Sequence, residues 1–371
     1  MNEAIRPVPH GGIDYDELAR RGVDPQDVVD LSSNILWTPP APAVRQAIAD
    51  ADIAAYPDRD CGRLRDALTR HHGIAAERII VGNGCCEIVH LLAASLLHAG
   101  DDVLVVGPTF GEYERASRLA GANVHAVTAT ADDGFRPPRQ AIEECLSAHS
   151  YALVWICSPN NPTGQPFPVE RLRDWSSRYP RTVFAVDESY LEFSPASTSL
   201  LGAAAENLIV LRSMTKYYAL AGVRLGYAVA SPSLLRPMRD RQLPWSVNAL
   251  AQAAGVAALA AKSHYDAACE RMRTERSRLC AALRSRGYRP RDTDTGFLLL
   301  PVSDAQRFRD RLLNHRVLVR DVASMGVERH VRIAVGDAPA TDWLLAALDA
   351  NPPELQRQGW ESRRMKGKNE G

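Results

Sequence analysis

The chain lacks any excess of charge: its 371 residues carry 44 basic and 44 acidic side chains. Such a balance projects no long-range field, so neither nucleic acid nor an anionic membrane is the expected partner. A long apolar run is missing too. The most hydrophobic stretch, "EIVHLLAASLLHAG", is too short to cross a bilayer and is interrupted by His90 and His98. The opening "MNEAIRPVPHGG" holds no apolar segment of the kind a secretory signal needs. Cysteine patterning is absent as well. Cys61, Cys85, Cys86, Cys145, Cys157, Cys269 and Cys280 are scattered, odd in number and without metal-ligand spacing. They read as reduced thiols, and no metal site is expected. No internal repeat is found. These absences leave a soluble, cytoplasmic globular protein, long enough for one large α/β unit with a smaller companion.

What is present is a series of short apolar runs that end in polar or turn residues: "DVLVVGP", "NVHAVTA", "ALVWICS", "TVFAVDE", "LIVLRS" and "GYAVAS". They do not alternate with period two, so they are expected to be strands buried on both faces of a mainly parallel sheet. Helical stretches such as "EYERASRLAG" and "PVERLRDWSSRY" lie between them. Strand–helix alternation predicts a doubly wound α/β sheet with ligands at the carboxyl ends of its strands.

The pattern changes after "RQLPWSVNALAQAAGVAALAA", where an Ala-rich helix leads into a charged one, "YDAACERMRTERSRLCAALRSRG". Beyond it, "GFLLLPV", "VLVRDV" and "HVRIAV" predict a small second sheet of α+β character. The expected organisation is an N-terminal arm and substrate loop over 1–45, a large domain over 46–250, a small domain over 251–350 and a polar tail over 351–371. The boundary is expected near 245–255, inside a helix.

Four segments carry chemistry. "GNGCCE" opens a helix N-terminus, where free backbone N–H groups and the helix dipole favour a phosphate. Asn161, Asp187 and Lys216 each follow a predicted strand, so the three can converge on one rim of the sheet. A lysine, a carboxylate, an asparagine and a phosphate cradle are the parts that hold pyridoxal 5′-phosphate (PLP): the lysine as Schiff base, the carboxylate keeping the pyridine nitrogen protonated. A carboxylate roughly 4 Å from that nitrogen contributes on the order of 4 kcal/mol at moderate dielectric, more than a neutral hydrogen bond supplies. An acid is needed there.

From about residue 10 to about 348 the chain resembles the fold-type I PLP enzymes of the class I/II aminotransferase superfamily, in the group of histidinol-phosphate aminotransferase and threonine-phosphate decarboxylase. The resemblance rests on "YPDRDCGRLRDAL", "GNGCCEIV", "PTFGEYE", "SPNNPTGQ", "VDESYLEF", "LRSMTKYYALAGVRLGY", "PWSVNALAQAA" and "VLVRD…VRIAV". It implies that Lys216 binds the cofactor covalently and, once released, moves the α-proton. Asp187 would pair with the pyridinium, Asn161 and Tyr190 with the ring oxygen, and Phe110 would stack on the ring. Gly84, Cys85 and Cys86, with Ser213, Thr215 and Arg224, would bind the phosphate. Tyr56 would reach the phosphate of a second subunit, which makes a homodimer with shared active sites part of the expectation. On the substrate side the resemblance implies Arg332 at the α-carboxylate and Arg320 at the distal group, with Asn34, Trp37 and His10 lining the approach.

One stretch departs from the group. Relatives carry Ser-Asn-Ile-Asn-Pro-Leu-Gly-Pro-Pro over the substrate; here the sequence is "SSNILWTPP", which keeps Asn34 but has the three residues Leu36, Trp37 and Thr38 where relatives have the four of Asn-Pro-Leu-Gly. The Cys85–Cys86 doublet is also unusual at a phosphate loop. The expected activity is an aminotransferase acting on an L-amino acid or its keto acid. The alternatives are a decarboxylase of a hydroxy- or phospho-amino acid, towards which "HGGIDYDELAR" and "PWSVN" lean, and an elimination or cyclisation enzyme.

Overall fold

The computed structural model describes residues 5–203 and 205–350; the expected polar tail over 351–371 lies outside them. The chain divides into two compact units. The larger takes in 5–9, 35–272 and 293–296, and the smaller 10–34, 273–292 and 297–350. The division passes inside the helix Lys262–Ser285, whereas the sequence places it near 245–255. The Ala-rich helix Ala249–Ala260 packs against Pro42–Ala49 and Gly62–His72, all in the larger unit, because its small side chains allow close approach. Asn248 caps it by accepting from Ala251 N at 2.8 Å.

The larger unit is built on a seven-stranded sheet. Its order is Ile79–Gly82, Gly226–Val229, Leu208–Ser213, Val183–Asp187, Leu153–Cys157, Asp102–Gly107 and Asn123–Thr128. Every pairing from Leu208–Ser213 to the Asn123–Thr128 edge is parallel, and Gly226–Val229 runs antiparallel to both its neighbours. The expected mainly parallel α/β sheet is present. Strands such as Leu153–Cys157 and Leu208–Ser213 are buried at every position, which explains their unbroken apolar runs. "NVHAVTA" is the exception: expected to be buried on both faces, it is an edge strand paired on one side only and is largely exposed. Trp155 is fully buried under the sheet, and its indole N–H donates to Ser117 Oγ at 3.1 Å, which satisfies the one polar group it takes inside.

In the smaller unit an antiparallel sheet runs Arg320–Asp321, His330–Ala334, Phe297–Pro301. The segment "VLVRDV", expected as one strand, makes two. Val317–Leu318 pairs parallel to Val29–Asp30, and Arg320–Asp321 turns to pair with His330–Ala334. Among the described residues no helix is long and apolar enough to cross a membrane.

Candidate active site

Asn161, Asp187 and Lys216 follow or end the adjacent parallel strands Leu153–Cys157, Val183–Asp187 and Leu208–Ser213, so the sheet delivers them to one rim. Ile79–Gly82 runs in the same sense two places further on and delivers Gly84 there too. Their convergence is visible on the Cys85 thiol, 3.8 Å from Ser189 Oγ. It feels the charges of Asp187 and Lys216 and sits beside the hydroxyls of Ser189 and Ser213, and burial pushes it well above its ordinary range. Asn161 is tied to the group through a backbone hydrogen bond to Cys157, which is also in reach of Asp187 and Tyr113.

The helix Gly84–Leu96 starts without a side-chain cap, so its first N–H groups are held for another acceptor. Gly84 has φ +78, a left-handed conformation suited to glycine, and a Cβ there would lie 2.7 Å from Arg224 Nη2. A Cβ on Gly226 would lie 2.7 Å from Cys85 N, so both glycines permit a close approach that a side chain would block. Ser213 Oγ and Thr215 Oγ1 are 2.6 Å apart and buried. N–H groups, two hydroxyls and a guanidinium on one small volume form a cradle for a tetrahedral anion.

Asp187 is 5% exposed. One oxygen accepts from Tyr113 O–H at 2.7 Å and the other from Ser189 N at 2.8 Å, so its carboxylate plane is fixed. Tyr113 stacks on Trp155 with ring centroids 5.0 Å apart and meets Phe110 edge-on at 5.5 Å. Tyr190 and Asn161 are buried beside this group of strand ends. Lys216 is half-buried, and its carbonyl accepts from Leu36 N at 3.0 Å. The departing loop is therefore tied at Leu36 to the backbone of the lysine, with Trp37 39% exposed on the next residue.

The residues next to the site are braced by buried charge. Arg212, 4% exposed, lies 3.0 Å from Glu188 and 2.6 Å from Glu192 and donates to Ser199 Oγ at 2.9 Å. Arg212 precedes Ser213 and Glu188 follows Asp187, so the ion pairs join the two strand ends that carry the site. Burial pushes the Glu188 carboxyl up, and the Arg212 guanidinium opposes that shift. Neither Tyr113 nor the Arg212 pairs were foreseen. Tyr113 lies within the "PTFGEYE" motif, but nothing in the sequence marks it as a partner of Asp187.

The other expected residues each have surroundings of their own. Among the described residues no hydrogen bond or ring contact joins Tyr56 to the Lys216 group; Tyr56 is 80% exposed and stacks on Trp245 at 4.5 Å. In the smaller unit Arg332 is 6% exposed, donates to Ser32 O at 2.7 Å and lies 5.7 Å over the Phe297 ring. Asn34 is buried two residues beyond Ser32. Arg320 donates to the His10 carbonyl at 2.7 Å and to Ser324 Oγ at 3.1 Å. Arg320 pairs in register with Arg332 across the antiparallel strands.

The chain matches the family model for aminotransferase class I and II over residues 26–348. It is 32% identical over 341 residues to histidinol-phosphate aminotransferase of Moorella thermoacetica, covering 90% of this chain and 87% of that protein. Threonine-phosphate decarboxylase of Salmonella typhimurium is 34% identical over 358 residues, covering 91% of this chain and 95% of that one. Among solved structures, histidinol-phosphate aminotransferase from Sinorhizobium meliloti in complex with pyridoxal-5′-phosphate shares the fold with a TM-score of 0.83. It is 24% identical and covers 91% of this chain and 94% of that one.

Proposed function

The chain belongs to the aminotransferase class I and II family, and from that premise we propose that it is a PLP-dependent transaminase acting at the α-carbon of an L-amino acid. The observation that carries the reading is that adjacent parallel strands bring the buried carboxylate Asp187 and Lys216 to one rim of the sheet, beside the Cys85 thiol at the uncapped start of the helix Gly84–Leu96. The residues fit the cofactor. The cradle of N–H groups, Ser213, Thr215 and Arg224 suits its phosphate, and a carboxylate held rigid by Tyr113 and Ser189 suits a cationic ring nitrogen. When bound, PLP withdraws electrons from the substrate's α-carbon and so makes its proton removable.

Each residue then has a task. Lys216 would hold the cofactor through Nζ, and its free amine would serve as the base that moves the proton at the substrate's α-carbon. Asp187 keeps a positive charge opposite its carboxylate, and Tyr113 prevents that carboxylate from turning. Asn161 and Tyr190 would hold the ring oxygen by hydrogen bonds, and Phe110 would pack on the ring. Arg332 takes the substrate's α-carboxylate, for which a guanidinium supplies two parallel donors. Arg320 takes the distal group, and Asn34, Trp37 and His10 bound the space for it.

The protein is proposed to work as a homodimer. Tyr56 and Trp245 form an exposed aromatic stack, and Ile53 and Leu243, near them in the chain, are 83% and 74% exposed. Apolar surface of this kind marks an association site, and in a second copy Tyr56 would reach the phosphate. All seven cysteines are free thiols, which supports a cytoplasmic setting.

The test is a panel of L-amino acids offered with a keto-acid acceptor. Formation of the matching keto acid and of the aminated acceptor is expected. A second reading, decarboxylation, is supported by the 34% identity to the Salmonella decarboxylase along nearly its whole length. Release of CO2 with no amino group reaching the acceptor would replace the first reading by the second.

A further inference from the structure

The Cys85–Cys86 doublet divides on folding. The Cys85 thiol donates to Arg212 O at 3.0 Å and faces the candidate active site. Cys86 turns to a different set of neighbours. It sits in the first turn of the helix Gly84–Leu96, and His90 lies four residues on, so the two share one face of that helix. Glu112, at the start of the next helix, Glu112–Leu119, is 4% exposed and accepts from or donates to His90 Nε2 at 2.7 Å according to protonation. One ligand atom from each of Cys86, His90 and Glu112 lies within 4.8 Å of the other two. The cysteine spacing in the sequence shows no metal pattern because the ligands come from two helices and three residue types.

We propose that the side chains of Cys86, His90 and Glu112 form a binding site for a borderline-soft divalent cation of the zinc class, distinct from Lys216 and Asp187 although Cys86 belongs by its backbone to the expected phosphate loop. Two ligands at i and i+4 on one helix with a carboxylate from a second helix is an arrangement that holds zinc with its fourth position open. Zinc bonds of roughly 2.0–2.3 Å at tetrahedral angles place ligand atoms about 3.3–3.6 Å apart. The trio's ligand atoms lie within 4.8 Å of one another, so binding would require the side chains to adjust to that spacing. Charge balances: one thiolate, one carboxylate and a neutral imidazole offset a 2+ ion, and the thiol proton is released on binding, so affinity rises with pH. Glu112 is steadied from outside the trio by Arg115 Nη1 at 3.4 Å. The half-exposed His90 side chain gives the ion a way in. This inference stands apart from the proposed transaminase reading, since the site needs no cofactor.

The experiment uses the purified full chain, stripped with chelator and titrated with Co2+ as the probe. The expected result is an intense thiolate-to-cobalt absorption that saturates at one equivalent and is displaced by Zn2+. Cys86→Ser should abolish the band, His90→Gln and Glu112→Gln should weaken binding by more than about 100-fold, beyond the loss typical of an outer-shell partner, and Cys85→Ser should keep it. Far-ultraviolet circular dichroism checks that each variant is folded, and the partly exposed His90 position keeps the test available if Cys86→Ser does not fold. Absence of the band in wild type, its survival in the His90 and Cys86 variants, or its loss in Cys85→Ser overturns the proposal.

Discussion

The two units place their charged groups in different ways. In the larger one, Asp187 and Lys216 stand on successive strand ends of one parallel sheet, and the Arg212 ion pairs brace the backbone immediately beside them. In the smaller one, Arg332 and Arg320 face each other in register on a short antiparallel pair and reach back to the carbonyls of Ser32 and His10, in a segment some three hundred residues away in the chain. The first arrangement places its charged groups by local topology: strand, turn, side chain. The second places them by long-range closure of the chain, as does the neighbouring pairing of Val29–Asp30 with Val317–Leu318.

The largest effect should come from the larger unit. Asp187→Asn removes the charge opposite the ring nitrogen, an interaction of about 4 kcal/mol at moderate dielectric, so kcat/KM should fall roughly a thousandfold; steady-state assays with the best amino acid check this. Arg212→Met leaves the buried Glu188 and the half-buried Glu192 without their cation and should destabilise the protein by about 3–5 kcal/mol. Urea unfolding reads that loss, and an unchanged midpoint would show that the bracing is dispensable.

Arg332→Gln sharpens the contrast. It should raise KM for the amino acid by about 10- to 150-fold, the worth of one charge-assisted hydrogen bond, while the bound cofactor's absorbance stays at wild-type level. An equal fall in cofactor occupancy would erase the distinction between the units. The smallest effect is in acid. His72, bonded to Tyr227 Oη at 2.6 Å, is held down to about 3 by burial, and His330 is lowered by burial in the other unit. Unfolded histidine takes up its proton near pH 6.5. Below that pH the unfolded state binds more protons than the folded one, so stability falls as pH drops from 6.5 towards 3. Each histidine adds at most about 1.4 kcal/mol per pH unit. His72→Gln and His330→Gln should each flatten the slope of the urea midpoint between pH 7 and pH 4.5.

The same contrast explains what could be read before folding. Asn161, Asp187, Lys216 and the glycines of "GNGCCE" were legible because each follows a buried strand by a few residues, a pattern that the chain order carries. Tyr113 was not, since its hydroxyl meets Asp187 across 74 residues of sequence. Arg212 was read only as the end of a strand, and its acidic partners lie on a turn about twenty residues earlier. Cys86, His90 and Glu112 belong to two helices, so their grouping follows from helix packing and not from spacing. In the smaller unit "VLVRDV" looked like one strand because its apolar pattern is continuous; the backbone changes partner at Val319, and a two-residue strand leaves no periodic signal.

The central claim is that Lys216 holds PLP. The most direct measurement is the absorbance spectrum of wild type and Lys216→Ala, each incubated with PLP and then dialysed exhaustively. The account predicts a visible band of lysine-bound cofactor that survives dialysis in wild type and is missing from the variant. No band in wild type, or an undiminished one in Lys216→Ala, would contradict it.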